Sequence, residues 1–105
     1  MMKIINREIL EKYIKKKKSH ELKKHIDIWL KKTKDADWKN CNDIRINFTR
    51  VSILPHNRIV FDIVGGSYRL SVIIVFVLQN VRIEWIGSHN EYDRLDLTKK
   101  IIKKK

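Results

Sequence analysis

The sequence predicts an α+β domain, helices first and a strand meander after them, and three observations lead there. Apolar residues recur at helical spacing up to about Asn47, then run or alternate as strands do. Gly65-Gly66 and Gln79-Asn80 punctuate the second half as hairpin turns do. The chain has 105 residues, enough for one core and not two. Helices and strands segregated in this way pack as helices on one face of a single sheet.

The elements follow in order. Asn6 is the expected N-cap of a first helix that carries Ile9, Leu10, Tyr13 and Ile14 on one stripe. Ser19 caps a second, with Leu22, Ile26, Trp29 and Leu30 inward and Lys23, Lys24 and Lys31 outward. Lys15 to Lys18 lies between them and reads as a solvated helix end, with a contact to RNA as the alternative. Asn42 is the expected cap of a short third turn, Asp43 to Asn47. A short strand closes at Ile53 and Leu54 before Pro55, which cannot donate to a central ladder. Strands are then expected over Arg58 to Val64, Ser67 to Leu78 and Val81 to Ser88. A helical segment follows around Glu91 to Leu95, and a basic tail spans 99–105. Residues 1–105 read as a single domain without repeats or linkers.

Composition narrows the function. With 43% apolar residues the domain can bury a core without metal or disulfide. Cys41 is the only cysteine, read as a packing residue in a reducing compartment. Leu70 to Leu78, the most apolar stretch, is too short to cross a bilayer, and the N-terminus lacks a secretory apolar region. A cytoplasmic location and no membrane partner are expected. The net charge of +12 favours a polyanionic partner through neutralised phosphates and released counterions. Lysine spread over every solvated face is the plainer reading of the same charge.

The turns imply a register. With Gly65-Gly66 as a two-residue turn, Asp62 falls opposite Arg69, where the two can form a cross-strand ion pair. With Gln79-Asn80 as the second, Leu78 pairs with Val81, Leu70 lies beside His89, and Arg69 lies beside Asn90. Ile59, Phe61, Ile63, Leu70, Val72, Ile83 and Trp85 then share the core face. A bulge would shift this register by one residue and exchange the faces.

Three segments carry a family likeness. Asn57-Arg58-Ile59-Val60-Phe61-Asp62-Ile63, then Tyr68-Arg69-Leu70, then Ile86-Gly87-Ser88-His89-Asn90-Glu91-Tyr92-Asp93 resemble the HigB toxins, whose pattern reads N-R-V-V-F-N-I, Y-R-L and I-G-T-H-x-E-Y-D. Ala36-Asp37-Trp38-Lys39 resembles their A-D-W-K segment, and Trp29 falls where they have a helical tryptophan. Asp62, Ser67 and Ser88 depart from the usual Asn, Lys or Asn, and Thr; the basic tail lies outside the pattern. The resemblance implies a RelE/ParE-like fold, with N-terminal helices on a curved antiparallel sheet. It also implies a type II toxin: an mRNA endoribonuclease acting during translation on the ribosome. Its implied partner is a HigA-type helix-turn-helix antitoxin, through which alone operator DNA is contacted.

Metal-independent RNA cleavage needs the 2′-OH activated, the phosphate's developing charge stabilised and the 5′-oxygen protonated. His89 can serve as base or acid, because imidazole ordinarily titrates near neutral pH. Arg69 suits phosphate, because its planar fork is always protonated. Tyr92, three residues after His89, can donate to phosphate or stack on a base. These three are the expected catalytic residues; Arg58, Lys39 and Glu91 are the expected RNA-binding ones, with Glu91 also an alternative base. The structural alternatives are plain: Arg69 as a balance for Asp62, His89 as a cap, Tyr92 as a packing ring. Trp29, Trp38 and Trp85 read as core or helix–sheet packing and not as base-stacking platforms. His20, His25 and His56 show no zinc spacing, so no metal or cofactor is expected. A non-catalytic RNA- or ribosome-binding module and a ParE-like gyrase poison are the competing functions, since one scaffold hosts different activities.

Overall fold

The computed structural model describes residues 1–95, so the basic tail 99–105 lies outside the described residues. Strand β1 (Lys3–Ile5) leads into helices α1 (Glu8–Lys17), α2 (His20–Asp35) and α3 (Cys41–Asn47). Strands β2 (Val51–Leu54), β3 (Arg58–Ile63), β4 (Tyr68–Val75) and β5 (Asn80–Ser88) follow, and helix α4 (His89–Asp93) comes after β5. The strands form one sheet in the order β1-β5-β4-β3-β2. The α+β expectation holds, but the sheet is mixed: β1 runs parallel to β5, Ile4 beside Val81, where an all-antiparallel sheet was expected.

Local chemistry explains the helices. The Ser19 hydroxyl accepts from the Leu22 amide at 3.1 Å, closing the start of α2 as its sequence predicts. Leu22, Ile26, Trp29 and Thr33 form its buried stripe, and Leu30 is half-buried at its margin. Two caps differ from expectation. Asn40, not Asn42, caps α3, accepting from the Asp43 amide at 3.1 Å. Asn6 takes a left-handed conformation, and its side chain reaches across to the Ile83 carbonyl instead of capping α1. Trp29, Phe61, Phe48 and Trp38 make edge-to-face contacts between helices and sheet, and each fully buried apolar side chain contributes about 1.5–3 kcal/mol.

The first hairpin has the predicted register, Asp62 opposite Arg69. The second does not. Its strand ends at Val75, three residues early, because Phe76–Leu78 wind into a 3-10 turn closed by Gln79 in the left-handed region. The Gln79 amide holds that turn from its far side by donating to the Trp38 carbonyl. Val75 therefore pairs with Asn80, and Leu78 does not pair with Val81. Further along, Val72 faces Ile83 but Ser71 faces Trp85, leaving Glu84 as an extra residue in β5. This bulge and the early turn set Arg69 opposite Gly87 instead of beside Asn90, and Leu70 opposite Ile86 instead of beside His89. They also turn Trp85 away from the core face, where it was expected, onto the face that carries Arg69. Ile59, Phe61, Ile63, Leu70, Val72 and Ile83 are buried as predicted.

Candidate active site

The end of β5 delivers its residues directly into α4. Ser88 is the N-cap: its hydroxyl accepts from the Glu91 amide at 3.2 Å, and the Glu91 carboxylate accepts from the Ser88 amide at 2.7 Å. This reciprocal cap starts α4 two residues before the predicted segment and places His89 in its first turn. The His89 amide donates to the Ser67 carbonyl at 2.9 Å, tying α4 to the turn that precedes Tyr68.

Arg69 lies beneath that turn, its side chain only 16% exposed. It donates to the Gly66 carbonyl, and its Nε sits 3.4 Å from the Asp62 carboxylate. Its Nη2 is 2.9 Å from His89 Nδ1. A guanidinium only donates, so Nδ1 accepts here and the ring proton belongs on Nε2, 3.2 Å from Asp93 Oδ2. The Arg69 guanidinium also lies 5.6 Å from the centre of the Tyr92 ring, which meets Trp85 at 6.3 Å. The His89 side chain remains 51% exposed, so solvent and an incoming ligand reach the pair. A fixed cation touching an accessible imidazole backed by a carboxylate can bind an anion and move a proton beside it.

Arg69, His89 and Tyr92 thus come together, and the cluster includes two residues that sequence reasoning did not single out. Asp93 carried a signal, its four-residue helical spacing from His89. Arg50 carried none: it reaches Asp62 at 3.7 Å across the sheet, and its carbonyl accepts from the Asp62 amide.

The expected RNA-binding residues do not join this cluster as a set. Arg58 shares the sheet face of Asp62 and Arg69 but is buried, its fork held by Glu84 at 2.9 and 2.7 Å. Ser71 donates to the same carboxylate at 2.8 Å, so the bulge residue anchors a polar network inside the sheet. Lys39 is exposed beside Phe76 and Gln79, near the far end of the β4–β5 hairpin. Six residues of strand from Arg69 to Val75 put that end about 20 Å away. Glu91 is part of the α4 cap. The Ser88 amide, and after burial's opposing effect the charge of Lys17, hold its carboxyl below the ordinary value, which makes it a weak base. It also accepts from the Tyr13 hydroxyl, whose pKa is raised well above the ordinary phenol value by burial and then by the Glu91 charge.

Among the described residues, no group of three or more His, Cys, Asp or Glu is placed to hold a metal ion, and no helix is long and apolar enough to cross a membrane. Compared with known protein families, residues 22–95 match the HigB toxin family, described as the RelE-like toxic component of a toxin-antitoxin system. That span holds the whole Arg69–His89 cluster and leaves out β1 and α1. No curated protein matches the chain.

Proposed function

The chain belongs to the HigB family of RelE-like toxins, and we propose that its toxicity is metal-independent cleavage of mRNA on translating ribosomes. Its proposed partner is a HigA-type helix-turn-helix antitoxin sharing the same cytoplasm. The observation that carries this reading is the 2.9 Å approach of Arg69 to His89 Nδ1 at an accessible strand end.

A phosphate entering between the two takes the Arg69 fork and frees the Nδ1 lone pair. Nδ1 then accepts the proton of the attacking 2′-OH as the new P–O2′ bond forms and the P–O5′ bond breaks. Asp93, on Nε2, stabilises the imidazolium that results, and Arg69 stabilises the charge on the five-coordinate phosphate. Tyr92 steadies the phosphate or a neighbouring base. The departing 5′-oxygen takes a proton from water, whose hydroxide takes back the imidazolium proton, leaving a 2′,3′-cyclic phosphate, a 5′-OH and neutral His89. Arg58 and Glu91 support this reading as positioning residues, one through the Glu84 network and the other through the α4 cap. Lys39 contributes a phosphate contact remote from the reacting bond.

The test is cleavage of a defined mRNA by the purified chain, with and without ribosomes. His89→Ala is expected to lower the rate by about 10²–10⁴-fold, the usual scale for an acid–base group, without changing the melting temperature. Intact mRNA with the wild-type chain, or equal cutting by His89→Ala, overturns the proposal.

A further inference from the structure

The Glu84 bulge leaves Trp85 with no place in the core. Its ring lies along the strand over Gly87, partly buried, with Tyr92 on one side at 6.3 Å. On its other side is a hollow between α1 and β5, continuous along Trp85 and Ile86. Lys12 and Lys16 line it from α1, and Arg94 lines it from beyond α4. Lys12 and Lys16 are four residues apart and so share one helix face, where like charges disfavour each other unless an anion lies between them. Of the two carboxylates at this hollow, Glu84 is paired with Arg58, and Glu91, whose hydrogen-bond partners are neutral, keeps its charge. Lys12, Lys16 and Arg94 outnumber it, so the hollow is basic on balance.

Resting on the nuclease reading, we propose that Trp85 is a base-stacking platform, and that the α1–β5 hollow is the track for single-stranded RNA leaving the Arg69–His89 site. Arg69, Tyr92, Trp85 and then the α1 lysines form an unbroken succession of cation, ring, ring and cations. Single strands are held in this way without base-edge readout: rings stack on bases, and lysines neutralise the phosphates between them. The track needs α1, which the family match does not include.

Trp29 and Trp38 are buried at 1% and 2% exposure, so a change in tryptophan emission on RNA binding reports Trp85. The probe is a 2′-O-methyl RNA octamer, which lacks the attacking hydroxyl and survives the titration. Binding to the full chain is expected to quench the emission. Trp85→Ala is expected to weaken binding by about 5- to 150-fold, the range for losing one stacked base. Trp85→Phe keeps a ring and is expected to restore affinity to within a few-fold while abolishing the quench. Replacing Lys12 and Lys16 by Gln is expected to reduce the slope of log affinity against log salt by about 1.4, two single-strand phosphate contacts. Octamer binding with unchanged emission, or equal affinity for Trp85→Ala, overturns the track. Cleavage of mRNA is scored alongside. A chain that cuts while Trp85 stays silent loses the track and keeps the nuclease; a chain that quenches without cutting does the reverse.

Discussion

Replacing Gly87 by alanine adds one methyl group at the point where the site is most tightly packed. A Cβ built there stands 2.5 Å from both Cζ2 and Cη2 of Trp85 and 2.7 Å from Glu91 Oε1. Carbon atoms pack comfortably at about 3.5–4.0 Å, so the indole must withdraw by about 1 Å or more. The glycines in the left-handed region are Gly65 and Gly66, so the penalty at Gly87 is steric and not one of backbone strain. Overpacking of this kind costs about 1–3 kcal/mol, and each kcal/mol lowers the melting temperature of a domain this size by about 4–8 °C. A loss of about 5–20 °C is expected. The same displacement reaches α4 through Glu91 and Tyr92, and an error of about 1 Å at reacting groups can cost about 100-fold in rate. The assay is thermal melting of Gly87→Ala, Trp85→Ala and the double variant. Removing the indole should recover about 1 kcal/mol or more of the alanine's cost, with the Glu91 contact accounting for the remainder. A Gly87→Ala chain that melts as the wild type does, or one whose cost is the same without Trp85, would refute the packing argument.

Asp62→Asn removes the carboxylate 3.4 Å from Arg69 and should tighten octamer binding by about 2- to 5-fold, the worth of a partly exposed ion pair; titration at several salt concentrations checks it, and weaker binding by a folded variant contradicts it. Glu91→Gln should cost about 0.5–2 kcal/mol at neutral pH by weakening the α4 cap. Because the folded carboxyl titrates below its ordinary value of about 4.3, the wild-type advantage is fully present above that pH. It is then lost as pH falls through the lower, folded value, so melting curves of the two chains should converge as the medium is made more acidic. Ser19→Ala should lower stability by about 1 kcal/mol through the lost contact to the Leu22 amide, a drop of about 4–8 °C by calorimetry.

What could be read from the sequence was what local chemistry decides. Gly65-Gly66 marks the β3–β4 turn and so gives its register, although the turn is wider than two residues: Val64 joins the glycines in the left-handed region, and pairing begins at Ile63 and Tyr68. The β4–β5 register resisted the same logic. Phe76, Val77 and Leu78 continue the apolar run, yet they turn: Gln79 closes the turn on the Phe76 carbonyl, and its side chain is also anchored to the Trp38 carbonyl, 41 residues away. The Glu84 bulge likewise answers to Ser71 on the adjacent β4 and Arg58 on β3 beyond it, and with it went the side on which Trp85 emerges. β1 is three residues long and acquires its strand character from β5, across the whole chain. Arg69, His89 and Tyr92 were legible through the family motif. Arg50 and Asp93 belong to the cluster only because the fold carries them there.

The most direct test of the nuclease account is to map RNA 5′ ends in cells after brief induction of the chain, beside His89→Ala. The account predicts new cuts inside translated frames that disappear in the variant. Growth arrest with intact mRNA, or cuts that persist without the imidazole, would contradict it.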